Sequence, residues 1–163
     1  MPEYTDELIE QLIGCPKSII EPPRKEMKSE KGHLRNNMEL RSDEGEKFIV
    51  FMRMNSDFPE NFSIGLEYFP NDERGSICLL RFNGPHGEFD GISSPPSSHS
   101  LFHEHKAKPE NIEAGLRAEK GGFITEGFAS YEQALPVFMK RIGLRENEKH
   151  FPGQESLNFP VEK

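Results

Sequence analysis

The segment Phe62-Ser63-Ile64-Gly65-Leu66-Glu67-Tyr68 alternates apolar and polar residues, the period of a strand with one buried face. Before it, the run Phe48 to Asn55 is dense in strand formers. After it, Pro70-Asn71-Asp72-Glu73-Arg74-Gly75 is turn chemistry leading into a third apolar run, Ser76 to Asn83. Connections this short pair their strands antiparallel, because a parallel crossover takes a dozen or more residues. That constraint selects an antiparallel sheet before anything else about the chain is considered.

Helices bracket the strands. Thr5-Asp6-Glu7 offers a cap and first-turn carboxylates, Leu8, Ile9, Leu12 and Ile13 recur at helical spacing, and Gly14 with Pro16 stops the pattern, so a helix is predicted over Thr5 to Ile13. Ser130-Tyr131-Glu132-Gln133 is a capping box, and Tyr131, Ala134, Leu135, Phe138 and Ile142 form one apolar stripe. Pro136 inside that stripe predicts a kink or a 3₁₀ start, and Gly143 the end. Between these lie an extended piece at Lys17 to Ile20, a weak signal from Leu34 to Leu40, a last strand at Leu101 to His105, a short helix from Pro109 to about Gly115, and a brief edge strand at Phe123 and Ile124. The expectation is an α+β fold with a single antiparallel sheet of about four to six strands and helices packed on one face. One domain is expected over residues 1–144, with a flexible tail over 145–163.

Composition narrows the function classes. Cys15 and Cys78 are far apart and form no zinc-type spacing, which points to a reducing compartment, and no apolar run is long enough to span a bilayer, so the expected location is cytoplasmic and no membrane is expected as a partner. Net charge is −8, which removes the general attraction for polyanions. DNA is disfavoured on that ground, and RNA needs a local basic exception. The densest basic stretch, Pro23 to Arg41, has Glu26, Glu30 and Glu39 interleaved and reads as solvated surface.

Chemistry-bearing residues gather at the two ends of the loop Gly84 to Ser100, which carries three Gly, three Pro and five Ser. Arg81, Asn83 and His86 stand where it leaves one strand; His99, His103 and His105 stand where it enters the next. If those strands are neighbours, Arg81 and Asn83 share a sheet face with His103 and His105. Three readings follow. His103 and His105, two residues apart on a strand, can converge on a transition metal, with His86, Glu88, Asp90 or His99 as the third ligand. Alternatively, the histidines perform acid/base catalysis on a phosphodiester while Arg81 stabilises the developing charge, with no cofactor. In the third, Arg81 and Asn83 organise the loop, Gly84 is a left-handed turn residue and the histidines are partly exposed strand residues with satisfied nitrogens. Arg53 is either a partner on the same face or a surface charge, and Cys78 a small core residue.

The set Asn61-Phe62-Ser63-Ile64-Gly65-Leu66, Leu79-Leu80-Arg81-Phe82-Asn83-Gly84 with His86, Phe102-His103-x-His105 and Ser130-Tyr131-x-x-Ala134-Leu135-x-x-Phe138 resembles a family of small prokaryotic proteins grouped as a domain of unknown function, over roughly Phe48 to Leu144. More loosely, Arg81, Asn83, His86, His103 and His105 resemble the toxin component of TumE-type toxin–antitoxin pairs, from which the chain departs by a longer insertion at Glu88 to Ser100 and an acidic surface. That resemblance implies a bacterial toxin–antitoxin or defence setting. Two functions are carried forward: a non-enzymatic domain binding a protein partner through its acidic surface or an open sheet edge, favoured by the net charge, and a phosphodiesterase or ribonuclease-like activity at Arg81, Asn83, His86, His103 and His105.

Overall fold

The computed structural model describes residues 4–24, 26–70, 75–85 and 102–145. Helix α1 (Asp6–Gly14) is followed by β1 (Lys17–Glu21), β2 (Lys28–Glu30), β3 (His33–Ser42), β4 (Lys47–Asn55), β5 (Phe62–Phe69), β6 (Ile77–Asn83), β7 (His103–Lys106), α2 (Pro109–Glu113), β8 (Gly122–Ile124) and α3 (Tyr131–Arg141). From β3 to β8 the strands are neighbours in chain order, and β1 and β2 both pair with β3, so the whole is one eight-stranded antiparallel sheet.

This corrects the expectation of about four to six strands under a layer of helices. The sheet has eight strands, and the helices are only nine, five and eleven residues long. The added strands are those with little hydropathy signal. β3 is the longest at ten residues, yet its sequence HLRNNMELRS is mostly polar, and β2, KSE, is wholly exposed. Backbone pairing along the neighbouring strand, which hydropathy does not report, recruits such segments.

One sheet face is apolar. Met38 and Leu40 of β3, Phe48, Val50 and Met52 of β4, Phe62, Ile64 and Leu66 of β5, and Leu80 and Phe82 of β6 are all buried there. Ile9, Leu12 and Ile13 of α1 and Ala134, Leu135, Phe138 and Met139 of α3 complete the same core. Phe82 meets Phe138 edge-on at 5.0 Å and stacks on Phe128 at 4.7 Å, geometries that add to simple area burial. Thr5 caps α1 by accepting from the Leu8 amide, and Ser130 caps α3 by accepting from Gln133. Helix α3 continues through Pro136.

Lys17 joins the C-terminal ends of α1 and α3. Fully buried, its ammonium donates to the carbonyls of Ile13 (2.7 Å), Cys15 (3.0 Å) and Ile142 (2.8 Å), so one side chain satisfies carbonyls at the C-terminal ends of both α1 and α3. Arg145, assigned from sequence to the tail, is tied to the same corner through Asp43 at 2.9 Å. Residues 146–163 lie outside the described residues. Among the described residues, no helix is long and apolar enough to cross a membrane.

Candidate functional site

The face of the sheet opposite the core is polar, and its cross-strand register sets which side chains meet. Arg81 on β6 lies directly opposite His105 on β7, and Asn83 directly opposite His103. Residues so paired share a face in an antiparallel sheet, so four of the five proposed catalytic positions form one patch. The fifth, His86, lies outside the described residues, as do Glu88, Asp90 and His99.

The patch is an internally bonded network. Ser63 on β5 donates its hydroxyl to Asn83 Oδ1 at 3.0 Å. The imidazoles of His103 and His105 meet edge-on with centroids 5.0 Å apart. His105 Nδ1 is 3.0 Å from the Glu119 backbone carbonyl. A carbonyl only accepts, so Nδ1 carries the proton, and in the neutral ring the basic lone pair is on Nε2. The Glu119 carboxylate, only 4% exposed, lies 3.5 Å from both Arg81 Nη1 and Arg117 Nε. Glu119 thus orients His105 through its backbone and holds Arg81 through its side chain. The Nε of Arg81 is buried with no hydrogen-bond partner among the described residues.

Two glycines next to the patch are required by close approach, Gly122 on its face and Gly84 on the core side. A Cβ on Gly122 would come within 2.7 Å of His105 Cε1, so β8 lies against the imidazole only because that position has no side chain. Gly84, expected as a left-handed turn residue, is not among the positive-φ glycines; a Cβ there would meet the Glu60 carbonyl at 1.7 Å, and that backbone approach is what requires glycine. A further expectation is also corrected: the histidines are not partly exposed strand residues. His103 is 0% exposed and His105 1%.

Beyond the predicted residues, the register extends the patch into a continuous row. Lys28 of β2 is opposite Arg35 of β3, Arg35 opposite Arg53 of β4, Arg53 opposite Ser63, Ser63 opposite Asn83, and Asn83 opposite His103. Arg53, undecided from sequence, therefore belongs to the same face as the histidines. Its guanidinium lies 5.0 Å from the Phe51 ring centroid, and that ring reaches across the bare backbone of Gly65. Burial first, and then the positive charges of Arg35 and Arg81, push the Arg53 pKa down from its ordinary value. Glu67 on the same face is pushed up, chiefly by burial.

Beside the patch is a cleft of about 380 Å³ lined by Glu67, Cys78, Leu116, Arg117 and Glu119. Cys78 comes opposite Glu67 through an irregularity in the β5–β6 pairing. Burial, reinforced by the negative charge of Glu119, drives its thiol far above the ordinary range, so it remains a protonated thiol and not a nucleophile. Among the described residues no group of three His, Cys, Asp or Glu side chains is placed to hold a metal ion. Glu119, Ser63 and the Lys28–Arg35 pair were missed from sequence, since their place depends on register and on the return of the 114–121 segment to β7. Compared with protein-family models, curated proteins and solved structures, the chain finds no match that would assign this site to a known one.

Proposed function

We propose that the protein acts on the phosphodiester bond of RNA, with the polar sheet face as its binding and reacting surface. One observation carries the reading: a row of cations on that face leads, in register, to the histidine pair. A net charge of −8 repels a polyanion at long range, and Lys28, Arg35, Arg53 and Arg81 on one face supply the local exception that RNA binding requires.

In this reading one imidazole of the His103–His105 pair takes the proton of a 2′-hydroxyl, whose oxygen attacks phosphorus. The other protonates the departing 5′-oxygen, leaving a 2′,3′-cyclic phosphate and a free 5′-hydroxyl. Arg81 stabilises the charge on the non-bridging oxygens, and Asn83, held by Ser63, positions His103. The bacterial toxin–antitoxin setting implied by the resemblance fits such an activity.

A second reading is favoured by a different observation: both imidazoles are almost wholly buried. A non-enzymatic interaction domain would use them as satisfied structural groups linking β6, β7 and the 114–121 segment. Incubating the protein with a mixed-sequence RNA and resolving the products separates the two. Cleavage to 2′,3′-cyclic phosphate ends, lost in His105→Ala with the fold retained, supports the cleavage reading. No cleavage by the wild-type protein, with the histidines inert to an imidazole-directed reagent, leaves the interaction domain.

A further inference from the structure

We infer that the row Lys28–Arg35–Arg53 is a track for the backbone of a single-stranded RNA, which crosses the strands of the sheet toward the Ser63–Asn83 pair. The inference rests on the phosphodiester reading and deepens it by naming the form of the substrate and residues outside the reacting patch that select it.

Three cations occupy consecutive cross-strand positions on three adjacent strands. Like charges directly opposite one another destabilise a sheet, and here three of them stand in a row in a protein of net charge −8. Charge relief inside the chain is partial. Glu30 approaches Arg35 at 3.3 Å, but both side chains are about half exposed (44% and 52%), so solvent screens the bridge and a phosphate oxygen can displace it. Arg53 stacks its guanidinium on the Phe51 ring, which leaves the charge itself open to an anion.

Polarity along the row is ordered. Its Lys28 end is exposed, its middle passes through the hydrogen-bonded Ser63–Asn83 pair, and its far end is the buried His103. Five strand-to-strand steps of about 4.8 Å make it about 24 Å long, room for several nucleotides. At the β2–β3 end, Arg24, Lys28, Glu30, Arg35, Asn36 and Asn37 line a polar recess of about 260 Å³, in which three cations outweigh the single carboxylate that a phosphate would displace from Arg35. Beside the row, Phe51 puts an aromatic ring on the same face, next to the Arg53 guanidinium, the pairing of cation and ring on which unstacked bases rest. The exposed Lys28–Arg35–Arg53 stretch fits a flexible single strand, whose bases are free to stack, better than a stiff duplex.

Binding is measured by fluorescence anisotropy with a labelled 2′-O-methyl RNA about 10 nucleotides long. That probe lacks the attacking hydroxyl, so the measurement does not depend on cleavage. The wild-type protein is expected to bind it with strong salt dependence. The variant Lys28→Ala/Arg35→Ala/Arg53→Ala is expected to bind at least about tenfold more weakly, with the slope of log affinity against log salt shallower by about 2, roughly 0.7 for each phosphate no longer neutralised. Arg35→Glu alone, a change at an exposed position, is expected to weaken binding in the same direction. Equal affinity and slope in the triple variant overturn the track, as does tighter binding of a polyglutamate or of a double-stranded probe. If the wild-type protein cleaves no RNA while the triple variant fails to bind, the cleavage reading fails and the track stands. If cleavage proceeds while the triple variant binds normally, the track fails alone.

Discussion

Replacing Lys17 with methionine tests how the ends of α1 and α3 are held together. The substitution keeps most of the side-chain volume and removes every donor, leaving the buried carbonyls of Ile13 and Ile142 without their partner. Each stranded acceptor costs about 1–3 kcal/mol, so the loss at the two helix ends is about 2–6 kcal/mol. An opposing effect reduces it. Burial pushes the Lys17 pKa down from 10.5 to about 8, which means that the ammonium is disfavoured in its site by about 3 kcal/mol relative to water, and methionine relieves that cost. The net expectation at pH 7 is destabilisation by about 1 kcal/mol, seen as a fall of about 2–4 °C in Tm for a chain of this size.

The pH dependence has a definite sign. Between about 8 and 10.5 the unfolded lysine keeps its proton while the folded one has released it. The unfolded state therefore binds more protons in that window, and the stability contributed by Lys17 rises with pH. Urea unfolding at pH 7 and pH 10 is expected to show the gap between wild type and Lys17→Met widening by up to about 3 kcal/mol. Taking the difference between the two proteins cancels the titration of Tyr131 and Cys78, whose buried groups are pushed up and act in the opposite direction. A gap that narrows as pH rises would refute the reasoning, because it would mean that the ammonium is stabilised in its site.

Three further outcomes are expected. Gly84→Ala should destabilise the fold by about 3 kcal/mol, since its Cβ would meet the Glu60 carbonyl; unfolding at wild-type urea concentration would show that the 1.7 Å approach relaxes freely. Glu119→Gln should remove the charge that holds Arg81 and Arg117 while preserving the backbone carbonyl bonded to His105, lowering any RNA cleavage through the unheld Arg81 and destabilising the protein by about 1–3 kcal/mol, measured by paired rate and melting assays. The hydrogen bond from Lys106, then that from Arg141, holds the Glu10 carboxyl below its ordinary 4.5, so its contribution is present above pH 4.5 and is lost as pH falls through the depressed value. Glu10→Gln should therefore show a shallower loss of stability on acidification than wild type, readable from Tm against pH.

Much of the middle of the fold was legible without coordinates. The alternation of Phe62 to Tyr68 and the short connections on either side force β4, β5 and β6 into an antiparallel meander, because period and loop length are properties of the chain itself. The caps Thr5 and Ser130 were likewise readable, since a cap is decided within one helical turn. β3 was not, although it is the longest strand: Arg35, Asn37, Glu39 and Arg41 face away from the core, and its apolar residues Leu34, Met38 and Leu40 are too few to mark it. Nor was Lys17 as a buried residue, since its partners Ile13 and Ile142 come together only when α1 and α3 pack on the same sheet.

The candidate site divides in the same way. Composition and spacing singled out Arg81, Asn83, His103 and His105, because histidines two apart beside an Arg-x-Asn strand end are a local pattern. Register decided the rest. It set Arg81 against His105 and Asn83 against His103, brought Arg53 from the undecided residues into their row, and directed Lys28 and Arg35 of the Pro23 to Arg41 stretch to that same face, with Glu30 and Glu39 beside them. The return of the chain to β7 placed Glu119 beneath Arg81 and its carbonyl on His105, a meeting of residues 38 and 14 positions apart. A strand period tells which residues share a face of one strand. Which neighbours they meet across the sheet depends on pairing between segments distant in sequence, and that is set only when the whole sheet closes over its core.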